Sequence, residues 1–228
     1  MDEIFHVNVG SYTTDTHNVI VFKTRLWPYI LMSLKWLIRR SGIPSSTNLQ
    51  NGLGLIIINN LAMAIEGLIT DIIIDHLDNY KPQKPKLFDE LNKRGWRFKK
   101  DTYNKTFKKQ LETYSSYKSI ENLFLLRNNI AHGKTHLETN EKKLATDVIE
   151  KVKSVDNKYQ QVRLYLIEQN VIRDKDVSSN ADVLWTFNIS KFFFEESLKF
   201  IQSVIHGNES SKKVGIEKEF QMVLHNKY

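Results

Sequence analysis

The chain has 228 residues, 41% hydrophobic and 26% charged, with a net charge of +7 and no cysteine. These proportions suit one well-filled globular core. The lack of thiols excludes disulfides, iron–sulfur clusters and thiolate-rich zinc sites.

The opening residues, MDEIFHVNVGSYTT, have neither the basic start nor the apolar run of a signal peptide, so a cytoplasmic protein is expected. Within them IFHVNVGSY alternates weakly and fits a short strand. A first apolar helix is predicted from Val21 to Arg40, with Pro28 either kinking it or marking its true first turn. SGIPSSTN is turn chemistry, and a long apolar helix follows from about Leu49 to Leu77. That helix carries Asn59, Asn60, Glu66, Asp71 and Asp75. This is too much polarity for the roughly 20 residues that cross lipid, so it is read as buried in protein, with no membrane contact.

DNYKPQKPK then favours an extended connection. From Lys81 to Lys109 there are eleven Lys and Arg against three acids, Asp89, Glu90 and Asp101, so this segment accounts for the whole positive surplus. Within it, Lys93, Arg94, Arg97, Lys99, Lys100, Lys105, Lys108 and Lys109 interleave with Trp96, Phe98, Tyr103 and Phe107. Such a pattern suits RNA, because cations track phosphates while aromatics stack on unpaired bases. The competing reading makes the aromatics core anchors and the charges a solvated surface.

A helix from about Asn104 to Tyr114 is expected next, then one from about Ser116 to Ala131. Further helical spacing links Leu144, Val148, Val152 and Val155, and then Tyr159, Val162 and Leu166. RDKDVSSNAD reads as a loop. An apolar helix from about Leu184 to His206 and a last amphipathic helix, GIEKEFQMVLHN, complete the chain. The expected fold is all-α: a single domain over 1–228, with a core at about 22–168 and a C-terminal helical extension at 184–228. No phosphate-cradling glycine loop is present.

The segment LFLLRNNIAHGKTH, Leu123 to His136, departs from a core pattern. Arg127 falls on the apolar stripe of Ile120, Leu123, Phe124 and Ala131. A buried guanidinium cannot shed its proton and must meet an acid, a second chain or a ligand phosphate. Glu66, set among Ala62, Ile65, Ile69 and Ile73, is the obvious internal candidate. Asn128 and His132 lie four apart on an adjacent face. Gly133 should end the helix and leave His132 in its last turn. With an unperturbed pKa of about 6.5, that imidazole can both take and give a proton near neutrality. His132 and His136 have metal-ligand spacing, but Gly133 interrupts the helix and no third ligand is evident, so no metal or other cofactor is expected.

The string RNNIAHG, Arg127 through Gly133, resembles the motif of the HEPN superfamily: an arginine, a polar residue, and a histidine after four to six intervening positions. The resemblance covers about Phe22 to Glu168. It implies a helical bundle that dimerises so that two copies of the motif face one cleft, and a metal-independent endoribonuclease of toxin–antitoxin or anti-phage defence systems. The implied partners are RNA, a second copy of the chain, and an antitoxin or regulatory protein. Other members of the superfamily have lost activity and only bind RNA or nucleotides. That outcome, or a helical interaction protein, is the alternative expectation. Lys134 stands where one branch of the superfamily carries a tyrosine, so control by nucleotidylation there is not expected.

Overall fold

The computed structural model describes residues 8–13, 18–23, 25–40, 47–78, 85–131, 158–173, 186–207 and 213–225. Its body is all-α, preceded by one antiparallel hairpin of β1 (Asn8–Thr13) and β2 (Asn18–Lys23), in register Asn8↔Lys23 through Thr13↔Asn18. β1 overlaps the stretch expected to be a strand. β2 takes residues assigned to the first helix, because NVIVFK is rich in β-branched side chains that fit a pleated ribbon. Helix α1 therefore starts at Trp27 and runs to Arg40. Pro28 sits in its first turn, where the missing N–H has no intrahelical partner to lose.

Helix α2 (Thr47–Asp78) is the axis of the molecule and packs against α1, α4, α5 and α7. It is apolar on nearly all sides, as a helix surrounded by others must be. Ile57, Ile58, Leu61, Ala62, Ile65, Leu68, Ile69, Ile72 and Ile73 are all essentially sealed from solvent. Its segment Gly52–Leu77 is long and apolar enough to cross a membrane by length and composition. Half of the most apolar window of that segment is buried by the rest of the chain.

The basic segment differs from expectation. It forms two helices, α3 (Pro85–Lys93) and α4 (Trp96–Phe107), followed by a single 3-10 turn at Leu111–Thr113. Pro85 opens α3, Gly95 supplies the extended N-cap of α4, and Lys108 ends α4 in the left-handed region at φ 52°. The helix expected near Asn104 thus begins eight residues earlier and stops at Phe107. Helix α5 (Tyr117–Ala131) follows, within one residue of the expected span.

Residues 158–168 form α6, which buries Tyr159, Val162, Tyr165 and Leu166. Helix α7 (Phe187–Gly207) lies along α2 and α5, and α8 (Lys213–His225) packs on α1 and α7. α7 is no appendage. One continuous cluster of buried side chains runs from Trp27 to Val223 and includes its Phe193, Phe200, Ile201 and Val204. The Leu144–Val155 repeat and most of the RDKDVSSNAD loop lie outside the described residues, as do His132, Gly133, Lys134 and His136.

Three polar devices brace this apolar bundle. Arg25, just before α1, donates from Nη2 to Asp75 Oδ2 of α2 (2.5 Å) and from Nη1 to Glu219 Oε1 of α8 (2.8 Å). Its side chain is 5% exposed, so the three charges are largely desolvated and hold three elements in one geometry. Beside them, Lys35 Nζ donates to the carbonyls of Val223 (2.6 Å) and Leu224 (2.5 Å). A cation on the last carbonyls of α8 suits the negative end of its dipole. On the far side, the buried Ser119 Oγ of α5 contacts Tyr165 Oη of α6 (2.5 Å) and donates to Glu196 Oε2 of α7 (3.0 Å).

Candidate nucleic-acid interface

The motif helix α5 is held on its apolar stripe. Ile120, Leu123 and Phe124 are buried, and the Phe124 ring stacks on Trp96 of α4 at 4.4 Å between centroids and 6° between planes. One turn further along, Arg127 is half-buried at the margin of this stripe, while Asn128 is exposed. Arg127 Nη1 donates to Asn128 Oδ1 at 3.0 Å. Among the described residues no carboxylate lies within ion-pair distance of this guanidinium.

The expected Arg127–Glu66 pair is not formed. Glu66 Oε2 instead faces Lys99 Nζ at 3.7 Å, and Lys99 is only 7% exposed. The reason lies in α4: Trp96, Lys99, Tyr103 and Phe107 recur at helical spacing on the face turned to the core. Lys99 is thereby carried to the carboxylate that the arginine was expected to meet. Burial pushes the Lys99 ammonium below its usual range, and the charge of Arg127 adds to that push against the counter-effect of Glu66. Glu66 Oε1 is buried and has no hydrogen-bond partner among the described residues. Glu66, Lys99 and Arg127 thus form one partly desolvated cluster of two cations and one carboxylate, with Asn128 at its outer edge.

The other cations of the basic segment whose side chains are described divide into two groups. Lys93 pairs with Asp89 (2.6 Å) and Arg94 with Glu90 (3.2 Å), both exposed i, i+4 pairs. Lys100 pairs with Glu112 (2.7 Å), and Lys109 Nζ donates to the carbonyl of Gly207 (2.8 Å) at the end of α7. Arg97, Lys105 and Lys108 are exposed, and no ion-pair partner is found for them among the described residues. Arg97 and Lys105 share the outer face of α4, with Asp101 between them at i, i+4 spacing. These three are the cations of the segment best placed to meet a polyanion, whereas Lys99 is buried inside the bundle.

The aromatics belong to packing. Tyr103 is fully buried, Phe107 lies against both Tyr103 and His76 at 4.6 Å, and Trp96 is occupied by Phe124. Phe98 lies beneath the Arg94 guanidinium at 4.7 Å. The stacking role expected of them as a set is met by protein partners.

Two features of this region escaped the sequence reading. Asn129, not Asn128, is the buried asparagine of the motif: it is 2% exposed, and its Nδ2 has no hydrogen-bond partner among the described residues. With Ser119, Asn122 and Leu126 it lies on a second buried face of α5, visible as spacings of three, four and three once two faces are allowed. The other feature is Lys99, which an α4 stripe starting at Trp96 would have revealed. His132 cannot be placed against these groups, since it lies outside the described residues.

Comparison with known proteins gives no match to a family model, a curated protein or a solved structure.

Proposed function

We propose that this protein is a metal-independent endoribonuclease of the HEPN type, cytoplasmic and acting as a toxin or anti-phage effector under an antitoxin or regulatory protein. The observation that carries the reading is the state of Arg127. Its guanidinium lies at the margin of the bundle, oriented by Asn128 and without a carboxylate partner among the described residues, in the sequence RNNIAHG. A guanidinium so held can grip two phosphoryl oxygens with its planar fork.

In the reaction, the ribose 2′-oxygen bonds to the adjacent phosphorus as the bond from phosphorus to the 5′-oxygen breaks, leaving a 2′,3′-cyclic phosphate. A base takes the 2′-hydroxyl proton, and an acid returns one to the leaving 5′-oxygen. Arg127 stabilises the charge that develops on the phosphoryl oxygens. His132 serves as base or acid, and a second copy of the chain supplies the other His132, so the working unit is a two-fold homodimer with a composite site. Asn128 orients the arginine or the phosphate. Lys99, held by Glu66, adds positive potential behind the arginine.

The deciding experiment incubates the purified protein with RNA in EDTA and assays for 2′,3′-cyclic phosphate ends. Such ends should appear with the wild-type chain and vanish with His132→Ala. A requirement for magnesium, or undiminished cleavage by the variant, would rule the reading out.

A further inference from the structure

On α1 and the first half of α2 lies an open groove of about 780 Å³, lined by Ile30, Ser33, Leu34 and Asn60 among others, with Leu26, Trp36 and Ile56 also facing it. Leu26 is 65% exposed, Ile56 51% and Trp36 46%, and Met63, two turns along α2 from Ile56, is 52% exposed. Four large apolar side chains on one side of a monomer exceed the scattered surface hydrophobics that need no explanation.

Charge indicates what would cover them. Helix α1 contains Lys35, Arg39 and Arg40 and no acid, and α2 has no charged residue before Glu66. Lys35 is engaged with the end of α8, which leaves the exposed Arg39 and Arg40 at one end of the groove, with Arg40 folded over Trp36 at 5.8 Å. In a two-fold contact between copies, a patch must complement itself. Among the described residues this one offers Arg39 and Arg40 and no acid to receive them. A bilayer favours an apolar face that can be pushed into it, whereas this face is concave between two packed helices. A third rod fits such a groove by ridge-and-groove packing. The twelve residues from Leu26 to Leu37 span about 17 Å, with a rise of about 1.5 Å from each to the next, or three turns of helix.

We propose that this groove is the docking site for an acidic amphipathic helix of another protein. The helix would set apolar residues at i, i+4 and i+7 against Ile30, Trp36 and Ile56, and place carboxylates over Arg39 and Arg40. The site does not depend on the nuclease reading.

The test uses a display library of helical 15-residue peptides selected on the full-length protein. Enriched peptides should carry an apolar stripe and at least two Asp or Glu at one end. Their binding should weaken about tenfold or more with Ile56→Glu, with Leu26→Glu and with the pair Arg39→Glu and Arg40→Glu. Unchanged circular dichroism and melting of these variants separate lost docking from lost folding. Enrichment without acids, equal binding to all variants, or no enrichment would overturn the proposal. So would either of two controls. One is a dimer that Ile56→Glu dissociates in sedimentation, assigning the face to a second copy. The other is binding to vesicles of phosphatidylcholine and phosphatidylglycerol that Ile56→Glu abolishes, assigning it to lipid.

Discussion

Arg127 and Tyr103 show how differently a polar group is treated at the margin and in the middle of this bundle. Arg127 donates to the uncharged amide oxygen of its neighbour Asn128 and is half-buried, so Arg127→Ala should change the melting temperature little. If the guanidinium stabilises a phosphorane, the same change should slow RNA cleavage by about 10²–10³-fold. Arg127→Lys should not restore the rate, because an ammonium cannot reproduce the bidentate fork. Single-turnover rates on one labelled RNA would check both.

Tyr103 is fully buried, with its hydroxyl 3.2 Å from that of Tyr114. Burial pushes its phenol well above the usual value of 10, and the bond to Tyr114 reinforces the shift. The sign of the linkage follows. Below pH 10 both folded and unfolded states keep the proton, and no stability is lost. As pH rises past 10, only the unfolded chain ionises freely, so stability falls. Tyr103→Phe should cost about 1 kcal/mol at neutral pH yet flatten the loss of stability above pH 10. Urea melts at pH 8 and pH 10.5 would show it.

At the scale of elements, α8 is held by apolar and polar attachments together. It buries Ile216, Phe220 and Val223, and Arg25 ties it to α2 through Glu219 and Asp75. Removing the cation takes its charge away from the desolvated Asp75 and Glu219 and from Asp71 at 4.0 Å, which costs more than the pairing itself was worth. Arg25→Met should therefore destabilise the fold by about 3–5 kcal/mol, with amide exchange in α8 accelerated first. Equal acceleration in α2 and α8 would mean that the cluster braces the whole bundle and not one helix. Glu219→Gln, which removes one acid and keeps the arginine paired with Asp75, should cost less.

This scale also shows what could be read in advance. Helices α2, α5 and α7 were legible because their apolar residues recur at helical spacing with few interruptions. The motif helix came within one residue of its bounds. Strand β2 was not legible as a separate element, since its Val19, Ile20, Val21 and Phe22 run straight into the apolar pattern of α1. Helix α4 was obscured by its own charges: Arg97, Lys100 and Lys105 hid a stripe formed by Trp96, Lys99, Tyr103 and Phe107. The arginine and asparagines of the motif could be picked out by their types and spacing. Their partners could not, because the meeting of Lys99 with Glu66 is decided by how α4 docks on α2.

For the molecule as a whole, the positive surplus is distributed less simply than the sequence suggests. Of the eight cations expected to bind RNA, one is buried with a carboxylate, three pair with acids and one caps a neighbouring helix. If the segment binds RNA as proposed, replacing Arg97, Lys105 and Lys108 together by alanine should therefore remove most of its salt-dependent affinity. Each phosphate contact contributes about 0.7 to the slope of log affinity against log salt for a single strand, so the triple variant should flatten it by about 2. A slope unchanged by that variant would move the contact surface away from α4.

The fate of Trp96, Tyr103 and Phe107 has a further consequence. With these rings spent inside the bundle, the outer side of α4 offers a strand only spaced charges, and a backbone looks alike to them whatever bases it carries. If the chain is the nuclease proposed above, gathering its substrate this way leaves it blind to message at the moment of capture. Any preference for one transcript over another would have to be exercised later, within the cleft itself, or imposed from outside by whatever restrains the protein.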